Sequence, residues 1–414
     1  VDDDSKQFYA LYLTRFAGGF GFMTLSILLP KYVTVLQASD FMAGLFYAVF
    51  TLAQTLAVVP LAWLGDRHDK RRVLLGCLSL GVVVYAGFAL VGSSSQLLAA
   101  RAVQALVVTG MGLMSLSLVG ELAGAGDRAR RIGESNSSRF LASIVGGMAA
   151  GLIYDNYGFE PVFGLVASVY VITLLAVLLY LPADETRVPG FPFRDLALNR
   201  RILTLAAFRA PYAVAVTLTR AWVAYFAGLE VARGGLFFSA FAVSIVLSSE
   251  KFTNMLAQPF TGRLSDTHGR ARFVLGGGAA YGLVALAIPA APTIGQLLSL
   301  PGSLPFVGRI TSAFLALVLL NGLLGFADAF REPASMALFA DEGSDGNGVA
   351  SSFGVRELVW RPGSVVAPLL GGWLMGAVGM ASVFYVGGGA ALFAAALFLV
   401  ALVSGHGRDA LTNW

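Results

Sequence analysis

The sequence predicts an all-α integral membrane protein of about twelve helices, arranged as two pseudo-symmetric six-helix bundles. Three observations predict it. The 414 residues are 57% hydrophobic and only 13% charged, whereas soluble domains carry roughly 25% charged residues. Apolar runs recur along the whole chain, and ~20 such residues suffice to cross ~30 Å of hydrocarbon as a helix. Finally, the polar loop after the second run of the first half is echoed after the second run of the second half, a sign of internal duplication.

Taken in order, the apolar runs cover roughly residues 8–35, 41–64, 73–91, 97–122, 140–154, 162–181, 210–229, 236–260, 273–290, 310–339, 359–378 and 382–403. The fifth is short and is expected to begin earlier, near Ser135. All are read as helices, because a strand exposed to lipid would leave its backbone groups unpaired. The longest polar connection starts at Pro182 and contains Pro189-Gly190-Phe191-Pro192. It divides the chain into an N-terminal bundle (1–182), a linker (183–209) and a C-terminal bundle (210–414). Within the linker, 193–205 reads as an amphipathic helix on the membrane surface.

Orientation follows from the basic residues. Arg67, Lys70, Arg71 and Arg72 share one loop, Arg128, Arg130 and Arg131 the next of that set, then Arg187, Arg194, Arg200 and Arg201, then Arg263, Arg270 and Arg272. The alternate loops are poor in base apart from Lys31, Arg233 and Arg309. Basic loops stay in the cytoplasm, which puts both termini there and makes the chain a multi-pass protein of the cell membrane. The net charge of +4 is explained by these loops and requires no nucleic-acid partner. The acidic start, Val1-Asp2-Asp3-Asp4, is unlike a cleavable signal peptide. Cys77 stands alone, so no internal disulfide forms. His68 and His268 are lone loop histidines without a second ligand at a recognisable spacing, so no metal and no cofactor is expected. The chain has no Gly-x-x-x-x-Gly-Lys-Ser/Thr phosphate loop, which argues against ATP hydrolysis, and no nucleophile–base constellation, which argues against an enzyme.

The duplicated loop carries a family resemblance. The first copy reads Ala62-Trp63-Leu64-Gly65-Asp66-Arg67-His68-Asp69-Lys70-Arg71-Arg72 and the second Gly262-Arg263-Leu264-Ser265-Asp266-Thr267-His268-Gly269-Arg270-Ala271-Arg272. Both resemble the signature of the major facilitator superfamily, Gly-x-Leu-x-Asp-Arg/Lys-x-Gly-Arg/Lys-Arg/Lys. The first copy departs at Ala62 and Asp69, the second at Thr267 and Ala271; an aspartate tolerates the left-handed turn expected at 69 better than most residues. Arg101 and Gln104 match the Arg-x-x-Gln core of the family's fourth helix. The Gly-Pro-x-x-Gly-Gly string of many proton antiporters is missing from the fifth span, while Ala367-Pro368-Leu369-Leu370-Gly371-Gly372 appears in its counterpart, the eleventh. The resemblance implies the superfamily fold and a conformational latch built from Asp66, Arg67, Lys70 and Glu121 in the first half and Asp266, Arg270 and Asp341 in the second. It places Asp66 at the N-terminus of the eleventh helix, where the helix dipole favours a carboxylate, and Asp266 near the fifth. A solvated cluster of loop charges is the plainer alternative.

Ionisable residues inside spans cost at least ~2.5–3.5 kcal/mol on insertion scales and so mark candidate functional sites. Glu250, Asp328 and Glu332 are the candidates for proton coupling: burial favours the neutral acid, a nearby arginine the carboxylate, and a group held between the two can exchange a proton. Arg15, Arg101 and Arg220 are the candidates for substrate binding. Arg15 and Arg220 share the context Leu-Thr-Arg in the first helix of each half and would suit an oxyanion between them. Structural ion pairs are the alternative, favoured for Arg331/Glu332 and Arg356/Glu357. The functional expectation is secondary active transport by alternating access, with proton-coupled efflux of small organic or amphipathic molecules first. An organic-anion uniporter or exchanger using Arg15 and Arg220 is the alternative within transport; a non-transporting receptor on the same fold is the alternative outside it. Expected partners are a small-molecule substrate, protons or another coupling ion, and membrane lipid, with the chain acting as a monomer.

Overall fold

Apolar runs that cannot bond to water satisfy their backbone internally, and helices follow at every run. The structure, a computed structural model, describes residues 3–123, 128–184, 199–301, 303–304, 308–309, 311–344 and 349–414. The long helices are α1 (Asp3–Val35), α2 (Asp40–Arg67), α3 (Lys70–Phe88), α4 (Ser94–Leu122), α5 (Arg128–Tyr157), α6 (Phe159–Tyr180), α7 (Arg200–Gly228), α8 (Ala240–His268) and α9 (Arg270–Ala287). After the short α10 (Ala291–Leu297) come α11 (Ser312–Ser344), α12 (Val349–Ala377), α13 (Met380–His406) and a terminal turn, α14 (Ala410–Asn413). A two-residue antiparallel ladder, Ser303–Leu304 against Gly308–Arg309, is the strand structure among the described residues.

Among the described residues, nine helical stretches are long and apolar enough to cross a membrane. The other long helices, α5, α8 and α12, have 30, 29 and 29 residues and are interrupted by charge, as with Glu250 and Lys251 in α8 or Arg356, Glu357 and Arg361 in α12. Together they fit twelve spans. Several helices outrun their apolar cores. α7 begins at Arg200 rather than near 210, so residues 200–205, read as part of a surface helix, continue a spanning helix; the rest of that expectation, at 193–198, and the linker at 185–198 lie outside the described residues. α12 begins at Val349 rather than 359, which moves Arg356, Glu357 and Arg361 from the mouth of a helix into its body.

The chain forms two compact units. The first comprises the described residues of Val1–Ala38, Leu45–Pro192 and Ser239–Ser244; the second those of Ser39–Gly44, Phe193–Phe238 and Ile245–Trp414. In the first unit α1 packs on α4, α5 and α6, and α3 on α4 and α6. In the second, α7 packs on α12 and α13, α9 on α11 and α13, and α11 on α12. Small residues permit these approaches. At Gly277 of α9 a Cβ would stand 2.7 Å from the Ala327 carbonyl oxygen and 2.9 Å from the Arg331 nitrogen of α11, whereas at Gly276 it would meet nothing within 4 Å.

The two copies of the duplicated loop turn by different means. Asp69, expected in a left-handed turn, has extended backbone (φ −62°, ψ 110°) and caps α3 with its side chain, accepting the Arg71 N–H at 2.9 Å. Its counterpart Gly269 has φ +92° and makes no side-chain cap. In its place the Trp414 carbonyl accepts the Ala271 N–H at 3.0 Å. The Asp/Gly difference between the copies therefore reflects two ways of satisfying the first turn of a helix.

The neighbouring glycines of α9 give a test. Gly277→Ala is expected to destabilise the protein by about 1–3 kcal/mol through overpacking, while Gly276→Ala leaves thermal unfolding unchanged or raises its midpoint; paired melting curves in detergent check this.

Candidate functional site

The intramembrane charges of the second unit form one alternating chain across α7, α8, α11 and α12. On α8, Lys251 Nζ lies 3.2 Å from Glu250 Oε2. The other oxygen of Glu250 takes Arg220 Nε of α7 at 2.5 Å. Arg220 Nη2 reaches Asp328 Oδ2 of α11 at 2.9 Å, and Arg331 Nη2 holds Asp328 Oδ1 at 2.7 Å. Arg331 also pairs with Glu332, and Glu332 with Arg356 of α12. Arg356 Nη1 then meets Glu357 at 3.1 Å, with Arg209 at 3.5 Å and Arg361 at 3.7 Å on the same carboxylate. Tyr212 completes the centre: its hydroxyl donates to Asp328 at 3.4 Å, and its ring lies 4.5 Å under the Arg331 guanidinium.

Exposure is graded along this chain. The side chains of Glu250 and Asp328 are 5% and 7% exposed, while Arg220 is 34% and Lys251 28% exposed. The α7–α8 end thus presents cations, with the carboxylates behind them. At the α12 end the order reverses, Glu357 being 47% exposed and Arg209 5%. Asp328 occupies the middle of α11, so an exposed guanidinium bound to it faces water rather than lipid.

A ladder of polar side chains fixes α8 against α11. Ser249, Thr253, Asn254 and Thr261 donate to the carbonyls of Val318, Gly322, Gly325 and Ala329 at 3.0, 2.6, 3.2 and 2.6 Å. Asn321 of α11 returns a bond to the Val246 carbonyl at 2.6 Å. Bonds of this kind hold helices together where apolar attraction between them is weak, and they set the register that places Glu250 and Asp328 on the same guanidinium.

The candidates named from the sequence fall into distinct places. Glu250, Asp328, Glu332 and Arg220 belong to the one network, which also absorbs Arg331, Arg356 and Glu357. Arg220 is engaged by two carboxylates and is not the open cation that an oxyanion clamp assumes. Arg15 lies in the first unit, its Nη2 donating to Asn136 Oδ1 at 3.1 Å. Arg101 departs most from its expected role. It is 0% exposed, its Nε donates to the Phe46 carbonyl at 2.9 Å, its Nη1 to Gln104 at 2.7 Å, and its guanidinium stacks 4.4 Å over Phe50. Gln104 in turn donates to the Tyr85 hydroxyl at 2.9 Å. So placed, Arg101 with Gln104 ties α2, α3 and α4 together.

In the duplicated loops, Lys70 Nζ lies 3.0 Å from both Glu121 and Asp184 and is 2% exposed. Arg270 pairs with Asp341 and, at 2.8 Å, with Asp266. Arg67 stacks 4.9 Å over Trp63, and Asp66 is half-buried at the end of α2. From the sequence, Asp184 and Arg209 read only as parts of the long polar connection and not as site candidates. Both sit at the edges of the long polar connection, where apolar runs give no guide to what a charge will meet.

The sequence model of the Major Facilitator Superfamily matches residues 11–294 and again 235–412. The chain belongs to this superfamily. It is a transport protein of the membrane, with the superfamily's all-α fold. Multidrug resistance protein MdtG of Escherichia coli (strain K12 / DH10B) is 24% identical over 407 residues, covering 94% of this chain and 92% of the relative. MdtG of Serratia proteamaculans is 24% identical over 289 residues, covering 65% and 68%. A peptide transporter POT in complex with sulfate shares the fold with a TM-score of 0.70 at 16% identity, covering 98% of this chain and 96% of its own. A bacterial homologue of the human lysosomal transporter Spinster, inward-facing and occupied, gives 0.67 at 15% identity over 95% and 96%.

Arg101→Met is expected to cost about 1–3 kcal/mol for the partners left without a donor and to lower the unfolding midpoint, with no change in the affinity of any substrate that the protein carries. Thermal unfolding and binding measured on the same preparation check both.

Proposed function

We propose that the chain is a proton-coupled exporter of small organic molecules, working as a monomer in the cell membrane with both termini in the cytoplasm. Its two halves, 1–182 and 210–414 with the linker 183–209 between them, would open a midplane site alternately to each side. One observation carries this reading: the buried carboxylates of Glu250 and Asp328 are shared by a single, partly exposed Arg220 in the middle of spanning helices. Fixed buried charge of that kind is costly, and it is justified where changing its protonation does work. The relatives named as multidrug resistance proteins support export and a small-molecule substrate.

In this reading the charge network is the coupling element. Adding or removing one proton changes how Arg220 is divided between α8 and α11, and so the preference of these helices for one arrangement over another. The loop pairs Lys70–Glu121 and Arg270–Asp341, with Asp66, Arg67 and Asp266, act as latches that break and re-form as the halves move.

Proteoliposomes with an imposed pH gradient and a panel of fluorescent organic substrates test the proposal. A transported substrate is expected to drive proton movement in the native protein, and Glu250→Gln or Asp328→Asn to uncouple it. Substrate movement without protons, unchanged in both variants, would show the network to be structural and bring organic-anion exchange to the front.

Asp328→Asn also removes a carboxylate shared by two arginines. It is expected to destabilise the protein by about 3–5 kcal/mol, the usual cost of breaking a buried pair, and Arg331→Met by a similar amount; melting curves in detergent check this separately from transport.

A further inference from the structure

The network has an imbalance that its coupling role turns into a prediction about one residue. Its carboxylates are Glu250, Asp328, Glu332 and Glu357; its cations are Lys251, Arg220, Arg331, Arg356, Arg209 and Arg361. Cations therefore exceed carboxylates among these described residues. Every carboxylate touches at least two cations. Protonating any of them would strand further positive charge in low dielectric and widen the imbalance. Losing a proton from a cation would narrow it. Five of the six cations are arginines, whose guanidinium stays charged in proteins. The sixth is Lys251.

The position of Lys251 fits such a role. It stands at the end of the alternating chain and contacts one carboxylate, Glu250, whereas Arg220, Arg331 and Arg356 each bridge two. Its side chain is 28% exposed, more than five times as much as that of Glu250, so a proton can leave without crossing the network. The charged groups that act on it are Glu250 on its own helix, Arg220 on α7 and Asp328 on α11; Tyr281 on α9 acts on those three groups. Arg220, held by both carboxylates, keeps them ionised whichever form the lysine takes.

We propose that Lys251, rather than any of the four carboxylates, is the residue that carries the coupling proton. The inference rests on the proton-coupled reading above and refines it. With the ammonium present, Glu250 is divided between Lys251 and Arg220. When the proton leaves Lys251 for water, Glu250 passes wholly to Arg220, and the pull of Arg220 on Asp328 of α11 weakens. No bond other than N–H is made or broken, and the proton is taken up again from the opposite side. The carboxylates act as positioning residues that set how readily the lysine releases its proton.

The chain contains four lysines, Lys6, Lys31, Lys70 and Lys251, so each can be followed singly. Lysine labelled with 13C at Cε, read by NMR in lipid nanodiscs across a pH series, reports the charge of each amine. The Lys251 signal, identified as the one missing from Lys251→Arg, is expected to cross to its neutral position within the physiological range, and Glu250→Gln to move that crossing to lower pH. A Lys251 signal that keeps its ammonium position until the ordinary lysine range, near ~10.4, would overturn the assignment. In proteoliposomes, Lys251→Arg keeps the ion pair but cannot release a proton, and Lys251→Gln mimics the neutral form. Both are expected to lose substrate-driven proton movement while still exchanging substrate. Coupling retained in Lys251→Arg but lost in Glu250→Gln would return the carrier role to a carboxylate and leave the proton-coupled reading standing. A native protein that moves substrate without protons would overturn the coupling reading itself, whatever the NMR shows.

Discussion

Hydrocarbon offers a charge no partner, and the second unit is organised around that constraint. Once Asp328 is placed in the middle of α11, cations must be supplied to it. Arg220 arrives from α7 and Arg331 from α11 itself. Each brings a further carboxylate, Glu250 or Glu332, which needs a cation in turn. The alternating chain across four helices is what remains when every buried charge is answered by another. The same constraint explains the ladder between α8 and α11, in which short hydroxyl and amide side chains bond to backbone carbonyls of the facing helix. The close approach at Gly277 brings α9 against the turn of α11 that carries Arg331.

Much of the fold was legible in the sequence, since lipid permits few backbone conformations and the apolar runs mark where they apply. The errors lie where a helix continues past its apolar core. Arg200–Leu205 and Val349–Leu358 are helical because the backbone bonds of a spanning helix propagate into polar sequence, which run length does not register. That shift places Arg356 and Glu357, read as a structural ion pair at the opening of a helix, in the body of α12, where Arg356 also pairs with Glu332 of α11. Arg101 shows another limit of reading charges from runs. An arginine in a span invites a ligand, yet its partners are a backbone carbonyl of α2 and a glutamine one turn away on α4. The first belongs to no motif.

The candidate site was legible as a set of residue types but not as a geometry. Glu250, Asp328, Glu332 and Arg220 stand out because each costs several kcal/mol to bury alone. Which of them share a partner depends on the register of α7, α8 and α11, and that is set by uncharged residues such as Thr253, Thr261 and Asn321. The duplicated loops give a similar lesson. Asp69 and Gly269 occupy equivalent positions and look like a substitution within one turn. They instead accompany different solutions: a side-chain cap in one loop, and in the other a left-handed glycine with a carbonyl from Trp414 at the helix start.

An alternating chain has a property that isolated ion pairs lack. Each interior member is shared, so a change at one end alters the division of charge at the next. Arg220 links α7 to both α8 and α11, and Arg356 links α11 to α12. In the proposed coupling, a proton lost at the α8 end would strengthen the hold of Glu250 on Arg220, loosen Arg220 from Asp328 and leave Asp328 more fully to Arg331. The effect needs no side chain to travel far, because in a medium of low dielectric small changes of distance between charges carry large energies. The feature that stabilises the buried charges, their mutual pairing, is thus also the one through which the proposed protonation event would be felt beyond its own helix.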